Sequence, residues 1–191
     1  MARRQAEDYE EKRAAIVEAA ARLFAAKGFS GASLADLADA CDMSKSLFYH
    51  YYPSKEAILY AVMKGHMDDL LTAIGEAQSE HPVYDLRGFA RRLLRLYAGA
   101  ADKQKVLLYE LANLPPAQRR DIVAKERRLV AHVEGIIKRA RPRQEKGHLR
   151  AQAMLFFGML NWTHTWLKDD GPVYRDEAAD MAARMTLAKY G

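Results

Sequence analysis

Apolar residues recur at three- and four-residue spacing along almost the whole chain, the signature of amphipathic helices. Ile16, Ala19, Ala20, Leu23 and Phe24 set the first stripe, and Gly28 is placed to stop it. Ser33 with Asp36 makes a capping-box pattern, opening a short helix with Leu34, Leu37 and Ala38 turned inward. Asp42 falls at a turn, where Asp tolerates left-handed backbone better than most residues. Ser44 caps a third short helix running to about Tyr52. Pro53-Ser54 ends it, and Ser54 opens a long fourth helix through Ile58, Val62 and Leu70, closed by Pro82. Five further helices are predicted at about 85–99, 102–113, 116–140, 147–168 and 174–189. Gly99, Pro115-Pro116, Pro142 and Gly171-Pro172 punctuate them. No stretch alternates at a two-residue period with β-branched enrichment, so no sheet is expected. The expected fold is all-α with about nine helices, a three-helix helix-turn-helix module over 1–53 joined to a helical bundle over 54–191.

Composition narrows the class. Of 191 residues half are apolar and 29% charged, an ordinary globular balance with enough length for a real core. The single cysteine, Cys41, excludes an intrachain disulfide framework and any multi-cysteine metal site. It reads as a small packed residue at a turn more readily than as a redox switch. The opening MARRQAEDYEEKR has no apolar run after its arginines, so it does not read as a secretory signal. The stretch 151–167 is interrupted by Gln152, Asn161, Thr163 and His164, too short and polar for a membrane span. A cytoplasmic protein without a membrane partner is expected.

Charge changes the picture once it is divided. The net is +5, yet residues 1–60 carry 8 basic against 9 acidic side chains. Residues 101–150 carry 13 against 6, a local excess of +7. The positive charge lies in the middle of the chain.

The two short helices, Ser33–Cys41 and Ser44–Tyr52, have the size of a helix-turn-helix. On the second, Phe48 and Tyr52 are one turn apart and turn to the core, which leaves Lys45 with Tyr49 and Ser46 with His50 on the other side. Such a stripe is narrow enough for a major groove: Lys45 and Ser46 can reach base edges, and Tyr49, His50 and Tyr51 can donate to phosphates. The helix starts at Ser33 and Ser54 offer N–H groups to phosphates, and Lys55 adds charge at the second. Arg3 and Arg4 are further candidates for the contact surface. With so few cations per module, tight binding needs two copies and moderate salt dependence is expected.

The run Ile16-Val17-Glu18-Ala19-Ala20…Leu23-Phe24…Gly28-Phe29, Ser33-Leu34…Leu37-Ala38 and Ser44–Glu56 resembles the TetR family of transcriptional regulators. About 50 contiguous residues carry the likeness. It implies a homodimer that binds a palindromic double-stranded operator and releases it when a small-molecule effector enters the C-terminal domain. Asp42 stands where the family usually has Gly, Ser46 where it has Gly or Ala, and Tyr52 where it has Phe. Ser46 thereby puts a hydroxyl on the groove face.

In the second half, the helix at about 147–168 is apolar almost all round. Leu149, Ala153, Phe156 and Leu160 line one face; Leu155, Met159, Trp162 and Trp166 line another. The first face suits the bundle and the second a partner subunit, beside Tyr174, Ala178, Met181 and Met185 of the last helix. The alternative is that both faces fill the core of one chain. On the helix at about 116–140, Glu126 falls on the apolar stripe of Ile122, Leu129, Val133, Ile136 and Ala140. It reads as a structural ion pair with Arg119, Arg128 or another basic residue of the bundle, or as a group that orients an arginine or a polar group of a ligand. Asn161 and His164 read as satisfied core polar groups or, with Phe157, as part of an effector site.

The segments Leu114-Pro115-Pro116…Lys125-Glu126-Arg127 and Phe157–Thr163 are similar to the acyl-CoA-responsive branch of the family. The implied effector is an acyl-CoA thioester, with its phosphates on the arginine-rich helices. A multidrug- or lipophile-sensing repressor of an efflux system is the alternative. No HExxH or comparable ligand spacing is present, so neither catalysis nor a metal or other cofactor is expected.

Overall fold

Nine α-helices and one 3₁₀ turn follow one another among the described residues, 2–75 and 79–188, of the computed structural model, with side chains from Glu7 onward. They are α1 (Ala2–Gly31), α2 (Leu34–Asp39), α3 (Lys45–Tyr51), α4 (Lys55–Leu71), α5 (Pro82–Gly99), α6 (Ala101–Tyr109), a 3₁₀ turn at Leu111–Asn113, α7 (Pro116–Ala140), α8 (Lys146–Trp166) and α9 (Arg175–Leu187). No strand occurs among the described residues. Arg3 and Arg4 lie outside the described side chains.

Local chemistry sets the boundaries. Gly28 adopts φ +74° and ψ 163°, a left-handed backbone open to glycine, and breaks α1 one turn before its end. Ser33 and Asp36 close a capping box around the start of α2. Asp42 takes φ 51° in the turn to α3, as the Asp-at-turn reading expects. The Ser44 hydroxyl accepts the Leu47 N–H at 3.2 Å, and that of Ser54 accepts the Ala57 N–H at 3.1 Å.

Packing divides the chain into two units. The first takes the described residues of Met1–His66 with Asp102–Ile122; the second takes those of Met67–Ala101 with Val123–Gly191. The division therefore runs within α4 and α7, not at the residue 53/54 boundary expected from the sequence. Packing explains the difference. Gln104, Val106 and Leu107 of α6 are buried, and the Gln104 Oε1 lies 2.7 Å from the Nε2 of buried His66. Lys103 pairs with Glu18, which fixes α6 against α1.

In the first unit Ile16, Ala20, Phe24, Leu37, Phe48 and Ile58 make the core. In the second, α5 buries Leu86, Phe89, Ala90, Leu93 and Leu94. α9 answers with Ala178, Ala179, Ala182 and Ala183, small side chains that let the helix backbones approach closely. Asp180 accepts from both Arg87 and Arg91, and Arg95 reaches Asp176 at 2.9 Å. The two guanidinium groups hold the Asp180 carboxyl down to about 2.

Candidate nucleic-acid interface and effector cavity

α3 is seven residues long and buries only Phe48, with Tyr52 buried just beyond its end. That anchor turns Ser46, Tyr49 and His50 outward, and Lys45 opens the helix beyond the core's edge; all four are exposed. Leu47 is exposed as well, at 43%, which the sequence reading missed. Its place beside Lys45 and Ser46 supplies the kind of apolar surface that packs on a thymine methyl group.

Two candidates are engaged differently from the expectation. Ser33 is occupied by its own capping box: the Asp36 carboxylate accepts the Ser33 N–H at 2.7 Å and the Lys27 ammonium at 3.0 Å. These bonds, the Ser33 hydroxyl's first, hold the Asp36 carboxyl well below the usual range. Lys55 donates to the carbonyls of Phe29 and Ala32, at 2.7 and 2.9 Å, and lies over the Phe29 ring. Its charge thus closes the last turn of α1, whose carbonyls have no helical donors, rather than standing free beside α4.

Tyr51 is braced from α1, which no local spacing announces. The Tyr9 ring stacks on Tyr51 with centroids 4.9 Å apart and meets His50 edge-on at 5.9 Å. Arg13, one turn further along α1, lies over both the Tyr9 and Tyr52 rings. Cys41 is half-buried beside this module, and burial pushes its thiol pKa up, away from the reactive thiolate.

In the second unit, α8 shows two faces. Leu149, Ala153, Phe156 and Leu160 are buried, as the bundle reading expects. Leu155 and Trp162 are 64% and 61% exposed, and Trp166, Met181, Met185 and Tyr174 are exposed with them. Met159 is half-buried. The alternative in which both faces fill one chain's core is therefore excluded.

The candidate effector residues are not brought together. Glu126 is half-buried, and burial alone pushes its carboxyl pKa up. Among the described residues no cation pairs with it: Arg119 and Arg128 are exposed and make no ion pair with it. Ala140, placed on the same stripe by the sequence, is exposed because the stripe ends with Ile136 and Ile137. Asn161 accepts the Tyr97 hydroxyl at 3.0 Å, and His164 Nδ1 lies 2.7 Å from the Asn161 carbonyl. Phe157 is buried against Phe89 and Phe156. These three are packed or satisfied where they stand.

A cavity of about 340 Å³ lies elsewhere in the second unit, lined by Gly75, Tyr84, Asp85, Gly88 and Arg92 and by Ala131, His132, Gly135, Ile136 and Arg139 of α7. The Asp85 carboxylate is paired with Arg139 and accepts the Ser79 N–H at 2.8 Å. Burial pushes the Asp85 pKa up, but these bonds outweigh it and leave the group below the ordinary carboxylate range. His132 packs on the Phe89 ring at 4.8 Å. Burial, with the Arg92 and Arg139 charges, lowers its pKa and keeps it neutral at pH 7.

A helical bundle carrying a helix-turn-helix with one exposed polar face defines a class of regulatory proteins. Residues 16–62 match the family described as bacterial regulatory proteins, tetR family, and residues 79–190 match the tetracyclin repressor-like C-terminal domain. The chain belongs to the TetR family. Tyr9 and Arg13 precede the first matched segment.

A TetR-family transcriptional regulator from Bordetella parapertussis 12822 is similar in structure, with 38% identity, a TM-score of 0.86, and coverage of 93% of this chain and 95% of that one. AibR, solved with isovaleryl coenzyme A and operator DNA, is 30% identical with a TM-score of 0.80, covering 91% and 97%. The HTH-type regulator YuxN of Bacillus subtilis (strain 168) is 42% identical over 64 residues, 34% of this chain and 22% of YuxN. The chain spans less than a third of the length of the curated relatives it first matches.

Proposed function

We propose that this protein is a ligand-responsive transcriptional repressor that binds a palindromic operator as a homodimer in the bacterial cytoplasm. The observation that carries the reading is α3: one buried anchor, Phe48, leaves Lys45, Ser46, Leu47, Tyr49 and His50 on open surface. Lys45 and Ser46 read base edges, while Tyr49, His50 and Tyr51 contact the backbone. Ser44 sets the start of the reading helix, and Ser33 and Lys55 hold the frame around it. The exposed Leu155, Trp162, Trp166, Met181 and Met185 form the subunit contact, since an apolar patch of this kind marks an association site.

The effector in this reading is an acyl-CoA thioester. The excess of +7 over residues 101–150 suits its phosphates, and AibR is a similar protein solved with such a molecule. A lipophile-sensing repressor of an efflux system is the second reading, favoured by Glu126, half-buried with no paired cation among the described residues.

Fluorescence anisotropy with labelled mixed-sequence duplex DNA across a salt series tests the DNA reading. Binding that weakens with salt at a slope below that of about ten phosphate contacts per dimer is expected. No binding at low salt, or a steeper slope, contradicts it.

A further inference from the structure

The cleft between α5 and α7 carries at its rim an exposed arginine, Arg92, whose terminal nitrogens are not committed to other groups of the chain. Arg92 donates its Nε–H to the Ala73 carbonyl at 2.9 Å, which fixes the plane of the guanidinium. Neither terminal nitrogen has a hydrogen-bond partner among the described residues. The space for that guanidinium exists because two neighbours are glycines. A Cβ at Gly88 would stand 3.3 Å from Nη1, and one at Gly75 would stand 3.3 Å from Nη2.

Gly88 and Gly135 sit inside helices, where glycine costs about 1 kcal/mol relative to alanine. Gly135 is exposed at the edge of the cleft, and an added Cβ there would meet nothing within 4 Å, so a side chain at this position has open space to project into. The charges do not cancel. Asp85 neutralises Arg139, which leaves the Arg92 cation in excess beside neutral His132. A fixed guanidinium with two parallel N–H groups matches the oxygens of a carboxylate or phosphate.

We propose that this cavity is an anion seat, in which Arg92 holds a phosphate or carboxylate group of the effector with both terminal nitrogens and His132 lines the wall beside it. The assignment rests on the reading that the second unit binds an effector. It relocates the polar end of that ligand from Arg119 and Arg128 to Arg92. At about 340 Å³ the space lies at the small end of ligand sites, so it takes a head group or a short acid and not a whole thioester.

Isothermal titration of the full chain with coenzyme A, butyryl-CoA, inorganic phosphate and butyrate tests this. At least one of the four is expected to bind, and the affinity falls about tenfold or more in Arg92→Gln. Gly135→Leu, which keeps every charge but crowds the cleft, is expected to weaken binding as well. Arg128→Gln removes an exposed charge on the same helix and is expected to bind as the parent does. Binding of coenzyme A or phosphate identifies a phosphate as the seated group, and binding of butyrate alone identifies a carboxylate. If no probe binds, or if Arg92→Gln and Gly135→Leu bind as tightly as the parent, the seat is overturned. Arg92-dependent binding by a probe that leaves a protein–DNA complex intact would uphold the seat and reject its effector role.

Discussion

On α3 one buried residue, Phe48, decides where its neighbours point; around the cavity the polar wall is assembled from Gly75, α5 and α7. The first surface is local. Seven residues and a cap suffice, because helical geometry sends Ser46, Tyr49 and His50 away from Phe48, while Lys45, one turn before Phe48, is exposed as the first residue of the helix. The second is not local. Arg92 depends on a carbonyl 19 residues earlier, and Asp85 on an arginine 54 residues later. The reading face should therefore fail by single side chains with the fold intact, whereas changes at the cavity reach the packing of several helices.

The largest effect is expected on the reading face. The double substitution Lys45→Ala, Tyr49→Ala should weaken binding to selected operator DNA about a hundredfold. Thermal unfolding should stay near the parent, since both residues are exposed. Loss of the fold in that variant would show that the reading face is not separable from the packing beneath it.

Next comes the exposed face of α8. Trp162→Glu places a charge in the proposed subunit contact and should weaken dimerisation by about 2 kcal/mol or more, roughly thirtyfold. Sedimentation across a concentration series measures it. An unchanged association constant would remove Trp162 from the interface.

A smaller change is expected at the cap of α3. Ser44→Ala removes the acceptor of the Leu47 N–H and should cost about 1 kcal/mol in urea unfolding. Because the cap sets only where the reading helix begins, the loss is one of stability first and of DNA affinity second.

The smallest concerns acid. Asp180 is held down to about 2 by Arg87 and Arg91, against an ordinary value of 3.8. Its contribution is present in full above the unfolded value and is lost as pH falls through the folded one. Asp180→Asn should therefore flatten the decline in stability between about pH 4 and pH 2 while lowering stability at neutral pH. A parallel decline in both proteins would show that the Arg87–Asp180–Arg91 cluster contributes nothing.

The sequence made the first surface legible and the second only in part, for the same physical reason. Caps at Ser33, Ser44 and Ser54, the left-handed Asp42 and the two faces of α8 follow from spacing within one or two turns. Lys55 on Phe29 and Ala32, and Tyr9 on Tyr51, join residues far apart in the chain, where no period exists to be read. Glu126 is half-buried, as its place on the apolar stripe of α7 predicts, but Arg119 and Arg128 turn outward and do not pair with it. The basic excess lies over residues 101–150, yet Arg92, which lines the cleft, falls outside that stretch.

Selection from a random-sequence duplex library by the full chain tests whether α3 reads a two-fold operator. Enrichment of an inverted repeat is expected, with half-sites spaced for a two-fold dimer, and it should disappear in the Lys45→Ala, Tyr49→Ala variant. Enrichment of no sequence, or of one without two-fold symmetry, would contradict that reading.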